Sequence, residues 1–222
     1  MNNRFWSTVA RLGAVCALAL AAPLAACSQD RSVGNEGGAG GGGGGANAPD
    51  THGGGPLAAN PGKTVPAHAQ VEVIWSVSSG SPDYAYAFGS GEASGGTYTV
   101  SLPDPPPAEA LNSYGTGFGD IGVGIIVLLP DGTSVPAGKV SDATMNDIET
   151  KAIGGSAGYA IIYKGAGASK LSWSSLFPDG YSCAKGVPAK PGETFDTLEP
   201  VDCSEVVITV DSLNNLEFNN WG

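Results

Sequence analysis

Ile121-Gly122-Val123-Gly124-Ile125-Ile126-Val127-Leu128-Leu129 is nearly continuous in apolar residues. A run of this kind reads as a central β-strand covered on both faces, because a strand with one wet face would alternate. Pro130-Asp131-Gly132-Thr133 follows as turn chemistry, so Thr133–Pro136 is expected to begin a return strand that Lys139 and Val140 continue. Upstream, Gln70–Ser78 alternates, with Val71, Val73, Trp75 and Val77 on one face and Glu72, Ile74, Ser76 and Ser78 on the other, as in a half-buried strand. Tyr84, Tyr86 and Phe88 recur at period two in a second strand ending at Gly89. Gly91–Gly96 turns again and leads into Tyr98, Val100 and Leu102. Pro103 to Pro107 ends this meander, since proline lacks a ladder donor.

Ser141–Ile153 is the one stretch that reads as a helix: Met145, Ile148 and Ala152 share a face, and Gly154-Gly155 stops it. Tyr159–Lys164, the neighbourhood of Leu171–Leu176, Glu205–Val210 and Leu213–Phe218 supply further strands. The expected fold is mainly β, an antiparallel β-sandwich of about seven to nine strands with at most one short helix. No internal repeat of fixed period is present, which removes propellers and solenoids.

The chain divides by composition. Many of its 35 glycines lie between Gly34 and Gly62, including the unbroken run Gly40–Gly45, whereas residues 68–222 carry most aromatic and β-branched residues. Residues 27–67 are therefore expected to be a disordered Gly-rich linker, and 68–222 the folded domain. As a flexible coil, the 40 residues from Ser28 to Ala67 would span roughly 35 Å, a tether that holds the domain off its anchor. A spacer with no length requirement reads equally well.

Residues 1–26 read as a signal peptide, with Arg4 and Arg11 ahead of the short apolar run Leu12–Leu20. Leu24-Ala25-Ala26-Cys27 closes it and resembles the lipobox of bacterial lipoproteins. That resemblance implies cleavage before Cys27 and a lipid on its sulfur, which becomes a covalent membrane anchor. Two or more acyl chains, at about 0.8 kcal/mol per buried methylene, hold a protein stably to a bilayer. Ser28 stands where an aspartate retains enterobacterial lipoproteins at the inner membrane, so the implied location is the cell envelope with the outer membrane favoured. An ordinary secretory signal cut near the same alanines, or an uncleaved anchor, is the alternative. The remaining chain resembles glycine-tethered β lipoproteins of Gram-negative bacteria, a likeness that implies a location and no activity.

Formal charge is −11, and removing residues 1–26, which hold two arginines and no acid, leaves −13. The remaining basic residues are scattered singly, so the chain lacks the footprint of a nucleic-acid binder. With Cys16 in the signal and Cys27 lipidated, Cys183 and Cys203 are left as a disulfide stapling an excursion of low apolar content. They lack the close spacing of a redox pair.

Several motifs come close to chemistry. Gly117-Phe118-Gly119-Asp120-Ile121-Gly122 has the dinucleotide spacing, but a strand follows it where a helix is required. Gly154-Gly155-Ser156-Ala157-Gly158 has the spacing of a nucleophile elbow, yet no histidine lies beyond His68 to serve Ser156 as base. His52 and His68 have no spaced partners for zinc. Glu193, Asp196, Glu199, Asp202 and Glu205 recur every three residues; they are weak candidates for Ca²⁺ and read better as a solvated acidic rim. No cofactor is read. The leading function is a membrane-anchored module for binding or structure, displaying aromatics such as Tyr84, Tyr86, Trp173 and Tyr181 to an envelope protein or glycan. A carboxylate-based hydrolase of envelope polymers and an accessory lipoprotein of an envelope complex are the alternatives.

Overall fold

The computed structural model describes residues 50–77, 84–113, 120–166, 168, 174–187 and 197–216. In chain order the strands are β1 (Asp50–Ala59), β2 (His68–Val77), β3 (Tyr84–Ser94), β4 (Thr97–Leu102), β5 (Asn112–Ser113), β6 (Asp120–Pro130) and β7 (Gly138–Val140). There follow helix α1 (Asp142–Lys151), then β8 (Gly154–Gly155), β9 (Tyr159–Lys164), β10 (Gly180–Val187), β11 (Thr197–Val201) and β12 (Ile208–Val210). The protein is mainly β with one α-helix among the described residues. No helix among them is long and apolar enough to cross a membrane.

Pairing runs β6-β2-β3-β4-β1-β12-β8, and β8 returns to β6, so one sheet closes on itself as a seven-strand barrel where two facing sheets were expected. β9, β10 and β11 extend from the first half of β6 as an antiparallel flank. The physical reason for the difference is β1, which pairs antiparallel with β4 and parallel with β12 and so supplies the closing strand. It lies inside the segment expected to be linker, and the folded region therefore begins by Asp50 rather than at residue 68. Its glycines are what fit it there: a Cβ on Gly55 would run into the Val206 carbonyl, and one on Gly54 would stand 2.8 Å from that of Tyr98.

The barrel interior is filled by Val71, Val73, Trp75, Phe88, Tyr98, Val100, Leu102, Ile126, Leu128, Ile208 and Val210, all buried. Trp75 has no solvent exposure; its indole N–H donates to the Phe88 carbonyl at 2.8 Å. Across from it on β6 are Gly122 and Gly124. A Cβ on Gly122 would lie 2.8 Å from the indole, and one on Gly124 3.1 Å. Two glycines in an otherwise bulky strand thus make the space that the tryptophan fills.

The second face of β6 is covered as well. Ile125, Val127 and Leu129 pack with Ile74, Met145, Ile148 and Ala152 beneath α1, while Val123 packs with Ile162, Phe177 and Ala184 on the flank. This is the doubly covered central strand the sequence implies. The same covering corrects the expectation for β2, which is buried on both faces rather than one. β3 also runs on to Ser94, past the turn expected at Gly91. Of the strands expected near Leu171–Leu176 and at Leu213–Phe218, Ser174–Leu176 and Leu213–Asn215 are single 3₁₀ turns and residues 171–173 and 217–218 lie outside the described residues; of Glu205–Val210 only the last three residues join the sheet.

Beyond β4, Pro103 and the 3₁₀ turn Ala108–Ala110 carry the chain toward β5, and side-chain donors tie this segment down. Tyr181 Oη donates to the Pro103 carbonyl at 2.7 Å, Tyr84 Oη to that of Glu109 at 2.8 Å, and Asn112 Nδ2 to that of Ser76 at 3.1 Å. Cys183 and Cys203 form a disulfide with Cα atoms 5.1 Å apart. The expected excursion between them is built from the end of β10 and the whole of β11, paired antiparallel, which the sequence conceals because Thr197–Val201 carries a glutamate and a proline.

Replacing Gly122 by alanine is expected to cost about 1–3 kcal/mol through overpacking against Trp75, read as a lower urea midpoint with an unchanged slope. Replacing both Cys183 and Cys203 by serine is expected to cost roughly 3 kcal/mol, the chain-entropy value for a loop of this length, measured the same way under oxidising conditions.

Candidate binding groove

Thr133 to Pro136 leaves the sheet instead of forming the expected return strand. The turn before it is closed by the Thr133 N–H donating to the Pro130 carbonyl at 3.0 Å, with Gly132 at φ 73°. The Val135 N–H donates to Glu72 Oε1 at 3.3 Å, so a side chain takes the donor that a ladder would have used. The chain rejoins the sheet only at β7, which pairs with β3.

Ser141 then caps α1: its Oγ accepts from the Thr144 N–H at 3.2 Å, satisfying one of the free donors of the first turn. The helix buries Met145 and Ile148 on the sheet and leaves Ala143, Asp147 and Lys151 exposed. Between the helix and the Thr133–Pro136 segment lies a groove of about 380 Å³. Leu129, Val135, Pro136, Ala143 and Ile148 give it an apolar surface; Thr133, Ser134, Thr144, Asp147 and Lys151 give it a polar edge. Lys151 Nζ and Asp147 Oδ2 pair at 2.8 Å one helical turn apart, an exposed contact of little energetic weight that a ligand could exchange at low cost.

Behind the groove wall is Glu72, only 5% exposed. Burial raises its pKa above the ordinary carboxylate value, and the Val135 N–H opposes that rise by stabilising the anion. The alternation of β2 puts Glu72 on a solvent face, and the structure corrects this. The amphipathic stripe of α1 is the sequence signal to the contrary, because Met145, Ile148 and Ala152 require a sheet face to cover, and β2 and β6 share that face.

Other polar groups are engaged in holding the fold. Ser156 is buried; its Oγ accepts from the Ile126 N–H at 2.9 Å and donates to the Tyr159 carbonyl at 3.2 Å, spanning the bend between β8 and β9. Asp211 receives Asn60 Nδ2 at 2.9 Å, Asn215 Nδ2 at 3.0 Å, the Ser212 N–H at 2.7 Å and Lys63 Nζ at 3.2 Å. The asparagine bonds, Asn60 first, hold its carboxyl well below the usual range, and they join the turn after β1 to the end of β12.

Cys27, Trp173, Glu193 and Asp196, and Gly117 to Gly119 of the glycine motif, lie outside the described residues. Tyr181 is half-buried, its hydroxyl spent on Pro103 and its ring 5.0 Å from that of Tyr163 and 6.3 Å from that of Trp75, so packing rather than display accounts for it. Tyr84 and Tyr86 are likewise half-buried, with Lys139 Nζ 4.3 Å above the Tyr84 ring. Glu199 is exposed on β11. Asp202 caps the turn at Cys203–Glu205 by accepting from the Ser204 N–H at 2.9 Å, and that bond lowers its pKa. Among the described residues no three His, Cys, Asp or Glu side chains gather as a metal site. No known family, curated protein or solved structure matches the chain.

Folding raises the proton affinity of Glu72, so its contribution to stability is complete below the ordinary carboxylate pKa of 4.5 and is lost as pH rises through the elevated folded value. The Glu72→Gln variant is expected to gain stability relative to the parent as pH rises through that window, then to hold a constant difference. Urea unfolding across the pH series measures it.

Proposed function

We propose that this chain is a lipid-anchored docking module of the cell envelope, tethered through Cys27 and binding a protein partner in the groove between α1 and the Thr133–Pro136 segment. The observation that carries the reading is the packed barrel interior, where Trp75 and its neighbours leave binding to the outer surface. The groove supports it with an aliphatic floor, a hydroxyl edge and one exposed ion pair. Among the described residues its lining contains no aromatic ring, the group on which sugar faces commonly stack, and this favours an aliphatic side chain of a polypeptide over a glycan.

The lipobox residues Leu24-Ala25-Ala26-Cys27 support the anchor, and the outer membrane is the favoured destination because Ser28 follows. An anchored domain on a tether meets its partner at raised effective concentration, so modest groove affinity suffices. By this reading the protein is nearest to an accessory component of an envelope complex.

Cys27→Ala is expected to abolish incorporation of labelled fatty acid and to move the protein from the membrane to the soluble fraction. A photocrosslinking side chain at Thr144 is expected to give an adduct of defined mass in intact cells, lost when Ala143→Trp fills the groove, while the same group at Thr97 gives none. Equal adducts at both positions would refute the groove as the docking site.

A further inference from the structure

We propose that the Thr133–Pro136 segment is a proton-linked flap, latched by Glu72, which opens and closes the outer wall of the groove. Three structural facts carry this. The segment lies between two glycines at positive φ, Gly132 at 73° and Gly138 at 130°, and a Cβ placed on either would meet no atom within 4 Å, so the chain at both ends is not packed against. It is tied to the barrel by the Val135 N–H, donated to a carboxylate that is buried on the outer face of β2. The flap residues Thr133, Ser134, Val135 and Pro136 form one side of the 380 Å³ groove, so their displacement changes its width directly.

The surroundings of Glu72 leave the proton as the control variable. Its ladder neighbours are Ser90 on β3 and Val127 on β6, both uncharged. The charged groups on the elements packed around it are Glu92 on β3, opposite Gln70; Asp120 at the far end of β6; Asp131 and Lys139 at the two ends of the flap; and Asp142, Asp147, Glu149 and Lys151 on α1. Asp147 and Lys151 pair with each other, and Lys139 lies over Tyr84. Among the described residues the Val135 N–H is the hydrogen bond that the Glu72 carboxylate receives.

The direction follows from linkage. With the flap closed, the carboxyl is desolvated and holds its proton more tightly than an exposed glutamate; with the flap open, water reaches it and its affinity returns toward the ordinary value. Deprotonation therefore favours the open flap and protonation the closed one, by the ratio of the two proton affinities. The effect on a docked partner rests on the groove reading above. The proton linkage does not, and it is read on the flap itself.

Amide hydrogen exchange and chemical shifts of Val135, measured by NMR between about pH 4 and pH 8 and corrected for intrinsic exchange, test it. The expected result is that Val135 protection falls several-fold as Glu72 ionises, that its amide shift titrates with the Glu72 carboxyl, and that Glu72→Gln makes both independent of pH. Flat protection in the parent protein, or an unchanged pH dependence in Glu72→Gln, would overturn the proposal. If the flap titrates while the Thr144 crosslink is absent, the latch stands and the docking site falls.

Discussion

Trp75 sits without solvent contact in a narrow barrel, and the β6 residues facing it, Gly122 and Gly124, are those whose side chains it could not tolerate. This volume constraint fixes the register of β2 against β6, because a shift of one residue would turn Trp75 outward, opposite Val123 or Ile125, and leave the space over the two glycines unfilled. With that register set, Ile74 on β2 and Ile125, Val127 and Leu129 on β6 form a continuous apolar outer surface. The stripe of α1 settles on it. The groove is thus a consequence of interior packing: where the helix covers the sheet, the segment leading to it must stand away, and the gap between them is the concave surface.

Glu72 belongs to the same chain of cause. It shares the outer face of β2 with Ile74, so the helix and flap that cover the isoleucine also remove the carboxylate from water. A buried acid is costly unless a donor meets it, and Val135 supplies one only because its segment has left the ladder. The feature that makes the groove wall irregular is therefore the feature that satisfies the buried acid.

Much of this was legible in the residues. The doubly covered strand at Ile121–Leu129, the Trp75 face of β2, the extent of β9 at Tyr159–Lys164, the helix with Met145 and Ile148 inward, and the pairing of Cys183 with Cys203 all follow from periodicity or elimination. Closure was not legible, because β1 is written Asp-Thr-His-Gly-Gly-Gly-Pro-Leu-Ala-Ala, with no alternation and a single β-branched residue. Its place depends on what it approaches: glycine is needed beside the Tyr98 and Val206 carbonyls, and that requirement exists only once β4 and the turn before β12 are in position. The groove was hidden for a related reason. Alternation predicts one wet face for β2, and only the tertiary position of α1 makes that face dry.

Whether β1 closes the barrel is decided by comparing urea unfolding of residues 46–222 with that of residues 68–222, both with the Cys183–Cys203 disulfide intact. If β1 closes the barrel, the shorter chain loses the strand that pairs with β4 and β12, exposes the edge along Thr97–Leu102, and unfolds at a much lower midpoint or fails to fold cooperatively. Equal midpoints and equal slopes for the two chains would mean that the glycine-rich segment is a tether throughout, and that the domain stands without closure.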